Sequence, residues 1–304
     1  MMDARESTQN QIVFLDRGDY TTCTIFLHGC TILSWRIHNE EQIFLSRVSP
    51  LSQYHYIRGG IRFIWPHYST WSFGRFNGFA RDILWTVIRG PESLPNGDVF
   101  VDVSSSSEYY TKSMWCFDFE LIYRITLHFN QLTLSVTIKN TSKYFNYDFN
   151  AVLQANIKIN DIKDVKIVGL ENCSYVDIEV PRDSSLLKVT SDETLIDKHI
   201  NRAYQDTPDV IDVYTASNKL LKITKHNLPD VNVWNPGQEI VRKIHDIDED
   251  EYKYFVAIES GLAYKKLPVK TFSDYKLSIN FEVVKLDVEK VQYRNFYDYF
   301  EGYC

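Results

Sequence analysis

The 304-residue chain lacks several patterns that would indicate a compartment or a class of partner. Its five cysteines form no Cys-x-x-Cys pair. Their odd number and the polar N-terminus predict free thiols in a reducing, cytoplasmic setting rather than a secreted disulfide framework. The apolar runs are far shorter than the roughly 20 residues that cross a membrane. Because the net charge is −7, we expect neither nucleic acid nor a membrane surface as a partner.

Metal and cofactor motifs are also missing. The eight histidines include no i,i+4 pair and no His-x-His, so we predict no metal centre built by the protein. Gly-x-Ser-x-Gly, P-loop and Gly-x-Gly-x-x-Gly motifs do not occur, which argues against serine hydrolases and nucleotide-binding folds and indicates no cofactor. The acidic run 245–252 is interpreted as a solvated loop. A calcium site is the alternative, although the run lacks the glycine and ligand spacing of an EF-hand.

Short stretches of alternating polarity are abundant. Aromatic residues make up 14% of the chain, and flat side chains are typical of strands. The clearest signal lies in residues 119–142, where apolar and polar residues alternate before and after Asn130-Gln131, with Phe129 in the first apolar series. This pattern predicts a hairpin with one buried face. Since shorter alternating stretches recur and no long amphipathic helix precedes the C-terminal tail, we predict an all-β sandwich or barrel.

The chain shows no repeat and no linker that would divide it. We expect a flexible N-terminus at residues 1–11, one domain over residues 12–286 and an aromatic C-terminal tail at residues 287–304. The tail is expected to pack over the domain, and self-association through it is the alternative.

Four segments carry side chains suited to ligand binding. Arg58 precedes two glycines, where the backbone turns tightly or approaches a ligand, and its guanidinium offers a fork of donors to phosphate or carboxylate. Asn77 and Arg81 share the segment 76–81. Residues 233–239 join an indole, an amide and a turn, and Glu259 is a lone carboxylate in an apolar strand, where an unpaired acid is costly. The structural alternatives are ion pairs for the arginines, a turn for Asn77 and a strand-end acid for Glu259.

Taken together and in order, these segments resemble a known family. The chain is similar to the galactose-mutarotase-like superfamily (aldose 1-epimerase family), and within it to the glucose-6-phosphate 1-epimerase, or hexose-6-phosphate mutarotase, branch. The resemblance covers roughly residues 12–285. It is carried above all by HGCTILSWR at 28–36, IRGGIRFIWPHYS at 57–69, FNGFARDILW at 76–85, LPDVNVWNP at 228–236 and YKYFVAIESG at 252–261. The resemblance implies a large antiparallel β-sandwich.

The resemblance also implies an activity and roles for residues. Enzymes of this family interconvert the α and β anomers of a sugar: a carboxylate takes the proton of the anomeric hydroxyl while a histidine protonates the ring oxygen. Glu259 matches the family's general base. Arg58 and Arg81 match its phosphate-binding arginines, and Asp230 and Trp234 match the loop that flanks the site.

Several positions depart from the family pattern. The general-acid histidine is Gln154, the histidine of His-Gly-Phe-Ala-Arg is Asn77, and the aspartate of Asp-Arg-x-Tyr is Asn201. The proline that follows Arg-Gly-Gly-Ile is Arg62. An amide donates a hydrogen bond to a sugar oxygen but does not carry a proton through a reaction at neutral pH.

Two hypotheses follow from this pattern. The first is a hexose 6-phosphate 1-epimerase with impaired catalysis, in which His67 is the best substitute acid and Lys158 a weaker one. A surface or turn histidine is the alternative for His67. The second hypothesis is a non-catalytic family member that binds a phosphosugar or serves as a scaffold.

Overall fold

The protein is built from two large antiparallel sheets. The computed structural model describes residues 11–52, 55–178, 187–188, 193–196 and 198–286. The predicted N-terminal segment, apart from Gln11, and the predicted C-terminal tail lie outside the described residues, so both remain predictions, as does self-association through the tail. No helix of the described residues is long and apolar enough to cross a membrane.

Strands dominate the described chain. They are β1 (Ile12–Gly18), β2 (Thr21–Phe26), β3 (Thr31–Ile37), β4 (Glu40–Glu41), β5 (Ile61–Ile64), β6 (Thr86–Ser93), β7 (Val99–Ser106), β8 (Phe119–Leu127), β9 (Gln131–Asn140), β10 (Tyr147–Lys158), β11 (Lys166–Val168), β12 (Ser174–Asp177), β13 (Leu187–Lys188), β14 (Glu193–Leu195), β15 (Ile200–Gln205), β16 (Val210–Ala216), β17 (Lys219–His226), β18 (Asp230–Asn235), β19 (Phe255–Val269) and β20 (Asp274–Lys285). The α-helices of the described residues are two short ones, α1 (Tyr109–Met114) and α2 (Gly237–Val241), and 3-10 turns lie at Ala80–Asp82, Ile162–Asp164 and Glu251–Tyr254.

The two sheets enclose a shared apolar core. One sheet has 11 strands in the order β1-β2-β3-β5-β10-β19-β18-β15-β12-β13, with β4 paired to β3. The other has nine strands in the order β14-β11-β16-β17-β20-β9-β8-β7-β6. One continuous core cluster extends from Val13 to Val283 and includes Trp35, Trp65 and Trp85. The predicted antiparallel β-sandwich is therefore confirmed, whereas the division into a single domain over 12–286 remains a prediction.

The predicted hairpin exists, but its turn is shifted by one residue. Strand β8 pairs with β9 in register from Phe119 opposite Asn140 to Leu127 opposite Leu132. The amide of His128 donates to the carbonyl of Gln131 at 2.9 Å, so the central turn residues are Phe129 and Asn130. Phe129 is consequently exposed. The prediction that Phe129 belongs to the buried face is wrong because the alternation ends at Leu127, where the chain leaves the sheet.

Strand β10 lies at the centre of the 11-stranded sheet and is covered on both faces. Residues 149–157 are all buried, and the strand pairs with β5 on one side and with β19 on the other. One face of β10 packs on the sandwich core. Its other face carries Gln154, which lies at the candidate site.

Candidate functional site

A row of four polar side chains crosses the middle of the 11-stranded sheet. Arg62 of β5 is the register partner of Gln154 of β10. Gln154 is in turn opposite Glu259 of β19, and Glu259 is opposite Asn232 of β18. Side chains of directly paired residues project from the same face of a sheet. Four residues far apart in sequence therefore meet in one line.

The alternation along each strand explains why polar residues are buried here. Phe63, Leu153, Ile258 and Val233, the strand neighbours of the row, belong to the apolar core. Since successive side chains point to opposite faces, the row residues face away from that core. The lone carboxylate at Glu259 is thus not an acid in the core, but one member of a polar surface on the opposite face of the sheet.

Hydrogen bonds run through the row in one direction, toward Glu259. The Nη2 of Arg62 donates to Oε1 of Gln154, and Nε2 of Gln154 donates to Oε1 of Glu259. The second carboxylate oxygen of Glu259 accepts from the Tyr68 hydroxyl at 2.5 Å and from Nδ2 of Asn232 at 3.3 Å. The guanidinium has no acceptor atom, so Arg62 fixes which way the Gln154 amide points.

Glu259 has the electrostatic character of a weakened carboxylic acid. Its side chain is buried, with a residue exposure of 7%, and this burial raises its pKa because desolvation disfavours the charged form. The hydrogen bonds from Tyr68 and Asn232 and the charge of Arg62 act in the opposite direction. Burial raises the pKa of the Tyr68 hydroxyl well above its ordinary value, and the nearby Glu259 carboxylate raises it further. Tyr68 therefore keeps its proton, and Glu259 is the group that can accept one.

A cavity of about 340 Å³ opens over the Gln154, Glu259 and Asn232 part of this row, and we call it the Glu259 cavity. This volume is within the range of small-molecule sites, roughly 300–1,000 Å³. Aromatic and apolar surfaces alternate on its walls with carboxylate, amide and hydroxyl groups, which suits a polyhydroxylated ligand. Its defining residues are Tyr68, Gln154, Asn201, Asn232, Trp234 and Glu259.

Asn201 and Trp234 lie where the resemblance implies a site. Asn201 of β15 accepts from Nδ2 of Asn232 at 3.3 Å, which extends the polar row by one strand. The indole of Trp234 lines the cavity and packs against Phe255, with ring centroids 5.8 Å apart. Trp234 belongs to strand β18 rather than to a loop, so the predicted loop flanking the site is wrong in this respect.

Asn77 lines the cavity through a tight turn. It has a φ of 62°, a left-handed conformation that asparagine tolerates better than most residues. Its Oδ1 accepts from the amide of Ser69 at 2.6 Å. Gly78 follows with a φ of 68°, and a Cβ at this position would lie 2.2 Å from the carbonyl oxygen of Trp65. The turn therefore positions both Asn77 and the segment that leads to Arg81.

The close approach at Gly78 gives a stability prediction. Gly78→Ala should lower the free energy of unfolding by at least about 2–3 kcal/mol, because a strained φ and a backbone clash add together. Gly18→Ala is the matched control, since Gly18 also has a positive φ of 90° but has nothing within 4 Å of a built Cβ. It should cost only about 1–2 kcal/mol. Denaturant unfolding of both variants measures the difference, and equal losses would contradict the close approach of the Trp65 carbonyl to Gly78.

The two predicted phosphate-binding arginines do not line the same cavity. Arg58 lines the Glu259 cavity, and its Nε forms a salt bridge with Asp246 at 3.0 Å. Arg81 lines a neighbouring cavity of about 300 Å³, and its Nη2 donates to the carbonyl of Phe76 at 2.8 Å. Both guanidiniums stack on the Tyr56 ring, at 4.5 Å for Arg58 and 4.9 Å for Arg81. The two arginines therefore contact one aromatic ring although they line different cavities.

The acidic run 245–252 is more ordered than a solvated loop. Three of its carboxylates contact Arg47 at 2.8–3.2 Å, from Asp248, Asp250 and Glu251. Glu251 is buried and accepts from the Ser46 hydroxyl at 2.7 Å. The loop prediction is therefore wrong at Glu251, because this carboxylate caps neighbouring backbone and side-chain donors.

Three other sequence candidates do not line the cavity. Asp230 lies in β18, and its Oδ2 accepts from the backbone amides of Ala263 and Tyr264 at 3.0 and 3.1 Å. These hydrogen bonds stabilise an irregular part of β19, and the contact of Asp230 with a ligand remains a prediction. His67 stacks on Trp71, and its Nδ1 donates to the carbonyl of Tyr68 at 2.8 Å. Burial lowers the pKa of His67, so it is a poor proton donor. Lys158 is exposed at the end of β10.

The sequence did not predict a functional role for four residues at the site. Asn232 could have been predicted, because it lies two residues before Trp234 in the same strand and its side chain therefore projects from the same face. The sequence identifies Arg62 only as the residue that replaces a proline of the family pattern. Tyr56 and Tyr68 belong to segments without strand periodicity, and no sequence signal identified their contacts.

The two-sheet architecture and the buried carboxylate over one sheet define a galactose-mutarotase-like β-sandwich. The family model for aldose 1-epimerase matches residues 11–269. The chain belongs to the aldose 1-epimerase family, which confirms the family inferred from the sequence.

Two relatives support the branch. Proteins from Cenchrus ciliaris and Escherichia coli K12 both carry the name "Putative glucose-6-phosphate 1-epimerase". The first is 27% identical over 270 residues, which cover 86% of this chain and 81% of the relative. The second is 25% identical over 264 residues, which cover 85% of this chain and 86% of the relative.

Solved structures agree in fold. A mutarotase-type structure from Salmonella typhimurium superimposes with a TM-score of 0.79 at 22% identity, covering 87% of this chain and 88% of that one. Galactose 1-epimerase from Lactobacillus acidophilus superimposes with a TM-score of 0.69 at 12% identity, covering 91% of this chain and 95% of that one. At these identities, the likeness concerns the fold alone.

Proposed function

We propose that this protein binds a hexose 6-phosphate in the Glu259 cavity and interconverts its anomers slowly. The observation that carries the proposal is Glu259 itself. It is a buried carboxylate of raised pKa at the floor of a small-molecule cavity, surrounded by hydrogen-bond donors. A carboxylate of this kind is suited to accept the proton of an anomeric hydroxyl.

The proton donor is the weak part of the proposed reaction. Opening the sugar ring requires a proton at the ring oxygen as the anomeric hydroxyl loses its own. The group beside Glu259 is the Gln154 amide, whose Nε2 hydrogen bonds to the carboxylate and which does not titrate at neutral pH. The ring oxygen must then take its proton from water. Loss of a positioned acid costs about 10²–10⁴-fold in rate.

The name of the two relatives motivates the choice of a hexose 6-phosphate. Arg58 supports this choice, because it lines the Glu259 cavity and presents a guanidinium beside Tyr56. The guanidinium of Arg81 lies 4.9 Å from the same ring. With the sugar over Glu259, the phosphate would lie toward Tyr56, where both guanidiniums can form charge-assisted hydrogen bonds.

A calorimetric titration tests the ligand class. Glucose 6-phosphate should bind more tightly than glucose, and Arg58→Ala should weaken the phosphorylated ligand about tenfold or more while leaving glucose unchanged. Arg47→Ala is the control, because Arg47 pairs with the same acidic run but lines neither this cavity nor its neighbour. Equal affinities for the two sugars, or an unaffected Arg58→Ala variant, would refute the phosphosugar proposal.

A non-catalytic phosphosugar-binding protein is the second candidate. The Gln154 amide favours it, because this side chain keeps hydrogen-bonding capacity and lacks acid chemistry. Binding of glucose 6-phosphate with no acceleration of anomer exchange would identify this candidate and exclude the first.

A further inference from the structure

The two oxygens of the Glu259 carboxylate accept different numbers of hydrogen bonds. Oε2 accepts two, from the Tyr68 hydroxyl at 2.5 Å and from Nδ2 of Asn232 at 3.3 Å. Oε1 accepts one, from Nε2 of Gln154. An ionised carboxylate offers about two acceptor positions on each oxygen. Donors from the described residues therefore fill Oε2 and leave one acceptor position of Oε1 without a protein donor.

Tyr68 makes the shorter of the two contacts to Oε2. A hydroxyl that donates to an ionised oxygen forms a charge-assisted hydrogen bond, which is about twice as strong as a neutral one. Because burial and the carboxylate raise the pKa of Tyr68, its hydroxyl stays protonated at neutral pH. The same hydrogen bond lowers the pKa of Glu259 and so opposes the effect of burial. Tyr68 thus favours the ionised carboxylate, which is the form that accepts a proton.

The backbone on either side of Tyr68 is fixed by hydrogen bonds. The carbonyl of Pro66 accepts from the amide of Asn150 in β10 at 2.8 Å. Ser69 and Asn77 bind each other twice: the Ser69 amide donates to Oδ1 of Asn77 at 2.6 Å, and the Asn77 amide donates to the Ser69 carbonyl at 3.0 Å. The segment that carries the Tyr68 hydroxyl is therefore anchored on both sides of this residue.

The other charged and polar groups that face Glu259 from the described residues do not titrate near neutral pH. Strand β5 contributes Arg62, whose charge lowers the pKa of Glu259, and Arg58 lines the same cavity. Strands β10 and β18 contribute the amides of Gln154 and Asn232. Arginines keep their charge and amides do not ionise in this range. A shift in the titration of Glu259 can therefore be traced to the donor that is substituted.

We propose that Tyr68 is a positioning residue of the proposed reaction: its hydroxyl, with Asn232, holds Oε2 of Glu259, so that Oε1 takes the proton of the anomeric hydroxyl. The O–H bond of that hydroxyl breaks as its proton bonds to Oε1. The electron pair left on the anomeric oxygen forms the carbonyl as the C–O bond of the ring breaks. The ring oxygen takes a proton from water, and the hydroxide that remains takes the proton back from Oε1. The assignment of Oε1 rests on the proposed function, whereas the contact of Tyr68 with Oε2 does not depend on turnover.

Carbon-13 NMR of the full chain, labelled at the glutamate carboxyl carbons, tests the contact without turnover. Glu259→Gln assigns the signal. Tyr68→Phe should raise the pKa of Glu259 by about one to two pH units, which is the strength of a hydrogen bond to a charged group expressed as a pKa shift. Asn232→Ala removes the longer contact and should shift the pKa in the same direction by less. This second variant keeps the test valid if Tyr68→Phe does not fold.

Tyr147→Phe is the matched control for the loss of a tyrosine hydroxyl. Tyr147 is buried in β10, its hydroxyl donates to the backbone carbonyl of Lys139 at 3.1 Å, and it lines neither cavity. This variant should leave both the pKa of Glu259 and the rate of anomer exchange unchanged.

Exchange NMR with glucose 6-phosphate tests the role of Tyr68 in the reaction. In Tyr68→Phe, the midpoint of the rise in protein-dependent rate should move to higher pH by the same one to two units, because the base is active when ionised. Above that midpoint the rate should be about tenfold or more below wild type, because a carboxylate that is no longer held is misplaced relative to the anomeric hydroxyl. If Oε2 were the accepting atom, Tyr68 would block it and Tyr68→Phe would be faster.

The two measurements separate failure of this proposal from failure of the proposed function. A raised pKa of Glu259 together with slower exchange above the midpoint supports the proposal. An unchanged pKa, or exchange as fast as wild type or faster, overturns it and leaves the proposed function standing. If wild-type protein does not accelerate exchange at all, the proposed function and the assignment of Oε1 both fail, whatever the pKa in Tyr68→Phe.

Discussion

Glu259→Gln should reduce the exchange of glucose 6-phosphate anomers to the rate observed in buffer alone. The amide keeps the size of the side chain but does not accept a proton at neutral pH. A positioned general base contributes about 10²–10⁴-fold, so the entire protein-dependent rate should be lost. Two-dimensional exchange NMR, which measures both anomers directly, gives the rate after subtraction of the buffer contribution.

The pH dependence provides an independent check on Glu259. Burial raises its pKa above the ordinary 4.5 of a glutamate, and the base is active when ionised. The protein-dependent rate should therefore be low in acid and rise through a midpoint above pH 4.5 as the carboxylate loses its proton. The Glu259→Gln variant should show no such rise.

Glu41→Gln is the control for the base assignment. Glu41 is another hydrogen-bonded carboxylate, which accepts from the Ser34 hydroxyl and the backbone of Trp35, and it lines neither cavity. Exchange should be unchanged in this variant. If Glu259→Gln retained the wild-type rate, Glu259 would not be the base, and the mechanism proposed for the cavity would be wrong.

The second large effect is expected from Gln154→His combined with Arg62→Met. A histidine at position 154 would supply the missing proton donor next to Glu259, and a positioned acid is worth about 10²–10⁴-fold. Arg62 must change as well, because its guanidinium donates to the Gln154 side chain. A protonated imidazole at that place would meet a second positive charge, which lowers its pKa and its supply of acid.

The single variants are the controls for this coupling. Gln154→His alone should raise exchange less than the double variant, and Arg62→Met alone should not raise it, because residue 154 is still an amide that supplies no acid. All rates are compared at saturating glucose 6-phosphate, so that a change in affinity for the ligand does not affect the measured exchange rate. A double variant no faster than wild-type protein would show that the amide at 154 does not limit the reaction.

The sequence predicted the parts of the site that depend on local pattern. Glu259 stands out because a carboxylate in an apolar strand requires an explanation, and the strand alternation predicted the all-β class. For Asn77 the sequence left a turn residue and a site residue as alternatives, and the structure shows the turn contact and the cavity position together.

Long-range register explains what the sequence did not predict. The row from Arg62 to Asn232 depends on how β5, β10, β19 and β18 are aligned, and a one-residue slip would turn each side chain to the other face. No local signal fixes that alignment. The same holds for Arg81, because its contact with the Tyr56 ring joins two separate segments of the chain. The partners of Asp230, which are backbone amides in β19, could not be predicted from the sequence either.

Exchange spectroscopy of glucose 6-phosphate with wild-type protein and Glu259→Gln side by side tests the central claim most directly. We predict that wild-type protein accelerates anomer exchange above the buffer rate in proportion to its concentration, and that the variant does not. A wild-type rate equal to that of buffer, at a ligand concentration that calorimetry shows to be saturating, would contradict the claim of slow catalysis and leave a binding protein.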